Sequence, residues 1–545
     1  PLYSSAASDV YKRQPERRWL EMLNIDKIRH ISFVKFLILF VAYMFFINYI
    51  FLFKGVFLGS LSGDTLSFSI MLTALLSIFF LLLFAGVFCI LLVPFLLKPL
   101  AIFLIMISSI SAYFMQAYGV IIDKGMLLNV LHTDTREAFS YFNASLAIWL
   151  IFVTILPCLY VALAKISYGD FKSALRSRLK IALSTLASAA IIFALMSKIF
   201  IPFFREHSNL RTALLPYYPV YSAAKLVKIL TQKPLPFTYV ADDATLTNNK
   251  KKILVLIVGE TQRSKNYSLN GYAKNDTNKF TKQKDVVSFT NFYSCGTATE
   301  TSVPCLFSDL KRENFSNREA KARENLVDII NKLGIKTYFF GNNSGGCKGV
   351  CDKLDQNHTS EHRAEGFDEV IFDEAKKVIK DANSTTFIVL HLQGSHGPIY
   401  YKGYPSKFKE FTPTCDTAEL NKCTPDEIAN TYDNTILYED YLQSELISAL
   451  EARKDKFEVA MFFFSDHGES LGENGIYLHG LPYSIAPDEQ KHIPAIIFSS
   501  DSELLKRLKA RKDESLSHDF IFSSVLGYFG VKTKAYEPEF DIFKE

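Results

Sequence analysis

The sequence predicts an α-helical membrane domain of five transmembrane helices, followed by an α/β domain. The chain up to about Ile201 is dominated by Phe, Leu and Ile, whereas the remainder has the composition of a soluble protein. In that remainder, short apolar runs alternate with helical patterns. At 545 residues the chain is also too long for one ordinary domain, so two domains are expected.

Five apolar segments are long enough to cross a bilayer, whose hydrocarbon core of about 30 Å needs about 20 helical residues. The second and third segments are separated by a turn that we predict at Lys98 and Pro99. No cleavable signal peptide is predicted, because the first segment is too long and no small-residue cleavage site follows it. The predicted spans are Phe36–Phe53, Phe68–Leu92, Ala101–Tyr118, Leu146–Lys165 and Ile181–Ile201.

The basic residues of the short loops predict the orientation of these spans. Lys27, Arg29 and Lys35 precede the first span, and a second basic cluster precedes the fifth. The loops after the first and third spans are poor in basic residues. The alternative is ordinary solvated charge, but the alternation from one loop to the next favours orientation. We therefore predict a cytoplasmic amino end and an external location for everything after the fifth span.

The chain divides into four predicted regions. It begins with Pro and its first Met is Met22, so we interpret residues 1–21 as a non-native or disordered segment. Residues 22–203 form the membrane domain and residues 251–545 the α/β domain. Residues 204–250, rich in aromatic and apolar side chains, either lie on the membrane surface or form a packed connector. A net charge of +4 without a clustered basic patch gives no indication of a nucleic-acid partner.

The α/β domain is predicted from short apolar runs that read as strands buried on both faces. Helical patterns lie between them, which favours a largely parallel sheet. Polar residues follow the strands, and ligands of such sheets bind at the carboxyl ends of strands. The runs are "KILVLIVGE", "IKTYFFGN", "TTFIVLHLQGSHG", "EVAMFFFSDHGE" and "IPAIIFSSD".

The residues at these strand ends are typical metal ligands. Glu260 follows the first strand, and Asp466 and His467 follow the fourth. Zinc is usually four-coordinate and accepts carboxylate oxygen and imidazole nitrogen, so these three groups leave one position open. A hydroxyl bound there would lose its proton readily, which would turn a threonine of "YSCGTATETSVPC" into a nucleophile.

Six of the eight cysteines fall in the α/β domain as close pairs. An exported domain favours disulfides, although six cysteines allow 15 connectivities and sequential pairing is only the simplest. The spacing in "CKGVC" also fits a zinc knuckle, but no second pair stands at the distance of a zinc finger. Cys89 and Cys158 lie in apolar spans, where packing is the expected role.

Several long blocks of the α/β domain follow one another in a characteristic order. They are "IVGETQRSKNYSLNGY", "YSCGTATETSVPC", "GGCKGVCD", "LHLQGSHGPIYY", "PTCDTAELNKCT", "NTYDNT" and "SDHGESLGENGIYLHGLPYSIAPDEQKHIP". Together these blocks resemble the lipid A phosphoethanolamine transferases of polymyxin resistance, within the alkaline phosphatase and sulfatase superfamily. The resemblance runs from Met22 to the carboxyl end and implies an α/β domain of alkaline phosphatase/sulfatase type in the periplasm.

The resemblance implies a role for individual residues. The nucleophile is the second threonine of "CGTAT", Thr299, and the zinc ligands are Glu260, Thr299, Asp466 and His467. One tightly bound zinc is implied, with a second metal possible. His396, His479 and Lys348 are implied in catalysis. The substrate site would comprise Asn343, Lys348, His396, Glu469 and His479. The implied disulfides are Cys295–Cys305, Cys347–Cys351 and Cys415–Cys423.

Two further positions carry their own expectations. His391 also matches a family position, and we interpret it as structural. Glu300 departs from the family pattern, because small or apolar residues are expected directly after the nucleophile. A carboxylate there would repel an anionic phospho-intermediate if it pointed inward. Successive helical residues point about 100° apart, so we expect Glu300 to face solvent.

The resemblance implies a multi-pass protein of the bacterial inner membrane, acting as a monomer. Phosphoethanolamine would pass from phosphatidylethanolamine to a threonine and then to a lipid A phosphate, which lowers surface charge and gives resistance to cationic peptides. Alternatives are the same chemistry on a core sugar or a protein, or phosphoglycerol transfer. A sulfatase would need Cys or Ser in C/S-x-P-x-R, which neither Cys295 nor Cys305 begins. Zinc content would exclude a catalytically silent binding protein.

Overall fold

A computed structural model describes residues 30–49, 55–57, 66–133, 135–206, 208–247 and 250–544. The chain forms two compact units in it. One comprises the described parts of Pro1–Gln116 and Ala144–Tyr221, and the other comprises Ala117–Asn143 and Ser222–Glu545. The second unit thus takes a segment from between two membrane helices. The predicted segment 1–21 and the end of the first span, 50–53, lie outside the described residues.

Among the described residues of the first unit, four helices are long and apolar enough to span a membrane. A fifth apolar helix is shorter, at 16 residues, and matches the beginning of the first predicted span. Short parallel strands, β1 (His30–Ser32) and β2 (Lys165–Ser167), pair in this unit. The apolar helices are α1 (Phe33–Asn48), α2 (Leu66–Leu91), α3 (Leu97–Tyr118), α6 (Ala144–Leu163) and α7 (Phe171–Glu206).

The turn between α2 and α3 and the regularity of α6 both differ from what the sequence predicts. The turn between α2 and α3 lies at Pro94–Leu96, so the prediction of a turn at Lys98 and Pro99 was wrong. Proline is tolerated in the first turn of a helix, where its missing N–H has no intrahelical role. Residues Leu150–Ile155 of α6 adopt a π-helix immediately before Pro157, whose ring disturbs the regular hydrogen-bond ladder.

The second unit contains an eight-stranded sheet in the order β13-β5-β12-β9-β4-β8-β6-β7. All of its neighbouring strands pair in parallel except β12, which is antiparallel to both β5 and β9. The expectation of a largely parallel sheet is confirmed. The strands are β4 (Lys252–Gly259), β5 (Val286–Tyr293), β6 (Lys336–Gly341), β7 (Thr359–Glu361), β8 (Thr386–His391), β9 (Glu458–Ser465), β12 (His492–Ser499) and β13 (Leu516–Ser517).

Two short antiparallel pairs lie outside this sheet. They are β3 (Thr245–Leu246) with β14 (Val531–Lys532), and β10 (Ser470–Leu471) with β11 (Tyr477–Leu478). The helices of the second unit are α4 (Lys124–His132), α5 (Thr135–Ser140), α9 (Thr299–Leu306), α10 (Asn317–Ala320), α11 (Leu326–Lys332), α12 (Glu369–Asp381), α13 (Pro425–Glu451), α14 (Ser502–Ala510) and α15 (Ile521–Phe529). A further helix, α8 (Tyr217–Leu230), crosses the boundary between the units.

The sheet core explains why the functional side chains gather at one edge. Every residue of β4 and of β8 is buried, as expected for central strands covered on both faces. Apolar side chains from α9, α11 and α15 pack with these strands in one continuous core. The parallel strands β4, β5, β6, β8 and β9 all end at the same edge, which makes their following loops neighbours.

Candidate active site

Four groups from three strand ends meet in a tight cluster. Glu260 follows β4, Asp466 and His467 follow β9, and Thr299 begins α9 after the loop from β5. The Thr299 hydroxyl lies 3.0 Å from Glu260 Oε2 and 3.4 Å from His467 Nε2. His467 Nε2 is 3.3 Å from both Glu260 Oε1 and Asp466 Oδ2. The structure thus brings together all four residues that the resemblance implied as zinc ligands.

The loop structure distinguishes Thr299 from its neighbour Thr297. The Thr297 hydroxyl donates to the carbonyl of Leu481, 2.5 Å away, and the Thr297 carbonyl accepts from Gly480. This threonine therefore joins two loops. The Thr299 side chain instead faces the carboxylate of Glu260 from the first position of a helix, where free N–H groups favour a negative charge.

Burial and mutual charge shift the pKa values of the three ionisable members of the cluster in different directions. Glu260, Asp466 and His467 are all 0% exposed. Burial and the charge of Glu260 raise the pKa of Asp466 to about 7, although His467 opposes the shift. Burial alone would also raise the pKa of Glu260, but the hydrogen bond and charge of His467 outweigh it and lower that pKa. Burial opposes protonation of His467, yet the two carboxylates raise its pKa to about 10.

These residues fit a bound metal ion. The buried Asp466 Oδ2 has no hydrogen-bond partner among the described residues, so one carboxylate oxygen is available as a ligand. Two carboxylates, a hydroxyl and an imidazole are donors that zinc accepts in four-coordinate sites. A divalent cation would also remove the repulsion between two fully buried carboxylates. Ligand atoms of Glu260, His467 and His479 lie within 4.8 Å of one another, which brings a second histidine to the same place.

Backbone N–H groups hold the carboxylate of Asp466 in position. Thr261, directly after Glu260, has a φ of 56°, a left-handed conformation that is uncommon for a residue with a branched side chain. Its amide N–H donates to Asp466 Oδ1 at 3.2 Å, and the amide of His467 donates to the same oxygen at 2.7 Å. Strained backbone of this kind is concentrated at functional sites.

Asn343 and Lys348 come from the loop after β6. Asn343 Nδ2 donates to Glu260 Oε2 at 2.7 Å and to the carbonyl of Leu392 at 3.1 Å. Asn343 therefore orients Glu260 and also lines the cavity beside Thr299, so its place in the substrate site stays a prediction. Lys348 Nζ lies 3.3 Å from Glu300 Oε2.

The expectation that Glu300 faces solvent was wrong. Its side chain is only 6% exposed and it pairs with Lys348, because the loop after β6 packs beside the start of α9. Helix geometry gives the direction of a side chain relative to its neighbour. It does not give the position of another loop.

The two histidines of the predicted substrate site lie beside the cluster. His479 Nδ1 is 2.8 Å from Glu469 Oε2, and the hydroxyl of Tyr400 donates to the other oxygen of Glu469 at 2.5 Å. The ring centres of His396 and His479 are 5.5 Å apart, and those of His467 and His479 4.3 Å apart. Burial and the charge of His467 lower the pKa of His479.

A cavity of about 60 Å³ opens onto Thr299. Its walls include Thr299, Lys348, His396 and His479, and also residues that sequence reasoning missed. Asn129 on α4 and Thr133 just after it line the same cavity. Their separation from Thr299 along the chain hides this proximity. Their four-residue spacing was not a distinctive signal, because α4 also contains the polar residues Lys124 and His132.

His518 was also missed. The backbone N–H of Cys295 donates to its Nδ1 at 3.1 Å, so Nε2 carries the proton and donates to the carbonyl of Ser465 at 3.0 Å. The imidazole thereby connects the loop that leads to Thr299 with the end of β9 that carries Asp466. Burial lowers the pKa of His518 to about 3 and keeps the ring neutral.

The remaining predicted residues have structural surroundings. His391 is buried against the ring of Phe339, and burial lowers its pKa to about 4, in line with a packing role. The structure contains the three sequential disulfides Cys295–Cys305, Cys347–Cys351 and Cys415–Cys423. Cys89 and Cys158 form no disulfide with any cysteine of the described residues.

The fold and the cluster define a membrane-anchored member of the alkaline phosphatase and sulfatase superfamily. The family model described as Sulfatase matches residues 252–531. A second model, Phosphoethanolamine transferase EptA/EptB, matches residues 78–230. Together the two models cover part of the helical unit and nearly all of the α/β unit.

Individual proteins extend this match. The chain is 39% identical over 470 residues to phosphoethanolamine transferase EptA of Escherichia coli strain K12, covering 82% of this chain and 85% of that protein. It is 34% identical over 456 residues to phosphatidylethanolamine transferase Mcr-1 of E. coli, covering 80% of this chain and 84% of that protein. The chain belongs to the phosphoethanolamine transferase family.

Solved structures agree. The integral membrane lipooligosaccharide phosphoethanolamine transferase A of Neisseria meningitidis matches with a TM-score of 0.87 at 31% identity, over 94% of this chain and 98% of that one. The periplasmic domain of EptC from Campylobacter jejuni matches with a TM-score of 0.54 at 54% identity, over 56% of this chain and 97% of that one. The resemblance inferred from the sequence blocks is confirmed, and the chain is a phosphoethanolamine transferase.

Proposed function

We propose that the protein transfers phosphoethanolamine from phosphatidylethanolamine to a phosphate of lipid A, through a covalent intermediate on Thr299. The observation that carries the proposal is the Thr299 hydroxyl, held 3.0 Å from Glu260 and 3.4 Å from His467 at the beginning of a helix. A threonine becomes nucleophilic when a metal or a base removes its proton. The metal we propose is zinc, held by Glu260, Thr299, Asp466 and His467.

Zinc would supply the positive charge that lowers the pKa of the Thr299 hydroxyl and offsets charge on the phosphoryl oxygens. Thr299 Oγ forms a bond to the donor phosphorus, and the bond from phosphorus to the glycerol oxygen breaks. Diacylglycerol leaves with a proton from His396 or His479, which line the cavity beside Thr299. Lys348 stabilises the phosphoryl charge from the same cavity. The proposal also allows a second metal ion near His479.

The second half-reaction returns Thr299 to its starting form. A phosphate oxygen of lipid A attacks the phosphorus, and the bond to Thr299 Oγ breaks. Asn129 and Thr133 add polar groups to the wall of the cavity, where they can contact the polar head of either lipid. The product carries an added ammonium group, which lowers the negative surface charge that cationic peptides such as polymyxin recognise.

The location follows from the substrates. We propose a monomer in the bacterial inner membrane, with a cytoplasmic amino end, a membrane domain of residues 22–203, a connector of residues 204–250 and a periplasmic catalytic domain of residues 251–545. Both substrates are lipids, so a membrane anchor confines the encounter to two dimensions and raises the effective concentration. Family membership favours phosphoethanolamine over phosphoglycerol as the transferred group.

The test is the mass of lipid A from a lipopolysaccharide-producing host that expresses the chain or its Thr299→Ala variant. We expect a phosphoethanolamine increment only with the intact threonine. Thr297→Ala is the matched control, since it removes a hydroxyl from the same loop but not from the cluster. A full increment with Thr299→Ala would refute the nucleophile. Release of diacylglycerol without a lipid A increment would redirect the proposal to a core sugar or a protein as acceptor.

A further inference from the structure

We propose that Glu300 is a positioning residue for phosphoryl transfer, because its carboxylate fixes the ammonium group of Lys348 at the wall of the active-site cavity. The inference rests on the proposed function, in which Lys348 stabilises phosphoryl charge. It concerns the acidic residue directly after the nucleophile, which the mechanism above leaves without a role.

The carboxylate of Glu300 lies between two lysines. Glu300 Oε2 is 3.3 Å from Lys348 Nζ, and Oε1 is 3.9 Å from Lys321 Nζ. The Glu300 and Lys348 side chains are only 6% and 11% exposed, whereas Lys321 is 58% exposed. Water therefore screens the pair with Lys348 far less than the pair with Lys321. Glu300 and Lys348 both line the cavity that also contains Thr299.

The backbone of the loop that carries Lys348 is built to direct this side chain. Lys348 has a φ of 52°, in the left-handed region that residues other than glycine seldom adopt. A Cβ placed on Gly345 would lie 2.5 Å from Lys348 Nζ, so the glycine leaves room for the ammonium group. The Cys347–Cys351 disulfide closes the same loop. Backbone, glycine and disulfide bring the lysine to the cavity, and Glu300 fixes its flexible end.

Charge balance explains why a carboxylate can stand beside an anionic phosphoryl group. An isolated Glu300 would repel the phosphate, but the two lysines compensate its charge. A lysine ammonium has three N–H donors and no acceptor. One donor directed at Glu300 leaves two for phosphoryl oxygens. The pair also places the positive charge before the substrate arrives, which is the preorganisation that electrostatic catalysis requires.

The test is a double-mutant cycle with Glu300→Gln and Lys348→Met in the full-length, zinc-loaded protein. Diacylglycerol release from vesicles of phosphatidylethanolamine gives kcat and KM, and thermal unfolding and zinc content are measured for each variant. We expect each single change to lower kcat, by about 10- to 100-fold for misplacement of a positioned group. Because Glu300 acts through Lys348, the double variant should have the activity of Lys348→Met alone.

The matched control is Lys353→Met on the same loop. Lys353 pairs with Asp328 at 2.8 Å, and its ammonium stands 3.9 Å from the ring centre of Phe237. Lys353 does not line the cavity at Thr299, so this variant should keep kcat within about twofold, the range of a surface substitution. Glu300→Asp, which keeps the charge on a shorter side chain, should recover part of the lost kcat. If Glu300→Gln does not fold, Glu300→Asp takes its place in the cycle.

The outcomes separate this inference from the proposed function. An active parent protein in which the losses of the two single variants multiply would overturn the positioning role, as would a Glu300→Gln variant with the parent kcat. A lower melting temperature with unchanged kcat would show Glu300 to be structural only. A parent protein without diacylglycerol release, or Thr299→Ala with full release, would overturn the proposed function and this inference with it.

Discussion

Lowering the pH should destabilise the α/β unit through His518. Burial lowers the pKa of this histidine to about 3, whereas an unfolded chain has a histidine pKa of about 6.5. Between these two values the unfolded state binds more protons, so the free energy of unfolding falls as the pH falls. From pH 7 to pH 5 the linkage amounts to about 2 kcal/mol for this one group. Below about pH 3 both states are protonated and the loss stops.

Differential scanning calorimetry at pH 7 and pH 5 measures this effect. An unfolding entropy of about 2.1 cal/mol/K per residue gives about 0.7 kcal/mol/K for a unit of this size, so 2 kcal/mol corresponds to about 3 °C. His518→Gln retains a donor and an acceptor but does not titrate. It should melt lower than the parent at pH 7, because its shape fits the site less well.

The decisive comparison is how strongly the melting temperature depends on pH in the parent and in His518→Gln. The fall in melting temperature from pH 7 to pH 5 should be about 3 °C smaller for His518→Gln than for the parent. Equal falls in the two proteins would refute the reasoning, because they would mean that His518 titrates normally in the folded state. His492→Gln is measured beside it as a substitution of a partly exposed histidine.

Three further predictions concern the same unit. Replacing both Cys347 and Cys351 by Ser should lower the free energy of unfolding by about 2 kcal/mol, from the entropy of a short loop, and unchanged denaturant unfolding would count against a stabilising bridge. Asn343→Ala should reduce both kcat and zinc affinity, because Asn343 orients Glu260. We expect the affinity for zinc to fall by about 10- to 100-fold. Titration with a competing chelator measures this affinity, and a variant with the affinity of the parent would contradict the orienting role of Asn343. Removing the metal should lower the melting temperature, because two buried carboxylates lose their compensating charge, and adding zinc again should restore it. Calorimetry with and without a chelator measures this change. Identical melting curves would exclude a stabilising metal.

Most of the strands that the sequence revealed are buried along nearly their whole length. β4, β8 and β9 are buried on both faces, so a continuous apolar run of the right length identifies them. β5 alternates between buried and partly exposed residues and contains polar side chains, so no apolar run indicated it. It nevertheless leads into the loop before Thr299, and the assignment of that threonine as the nucleophile relied on the family resemblance.

Side chains at the ends of predictable strands could be assigned, and those delivered by other elements could not. Glu260, Asp466 and His467 directly follow strands, so sheet topology brings them together. His518 reaches the same region from a short 3₁₀ helix, and Asn129 from the segment between two apolar helices. Their role depends on a tertiary contact with a loop far away in the chain. No local periodicity encodes such a contact.

Glu300 shows where local reasoning about charge fails. If Thr299 carries the phosphoryl group as proposed, the charge of the adjacent Glu300 predicts repulsion. Helix geometry then predicts that the carboxylate of Glu300 points to solvent. Both steps treat the residue as if only its own helix mattered. The structure instead supplies Lys348 from the loop after β6, at 3.3 Å and with little exposure to water. A buried carboxylate needs a partner more than it needs distance from an anion, because desolvation without compensation costs more than screened repulsion. For an acidic residue beside a nucleophile, the informative question is therefore which cation the neighbouring loops bring to it.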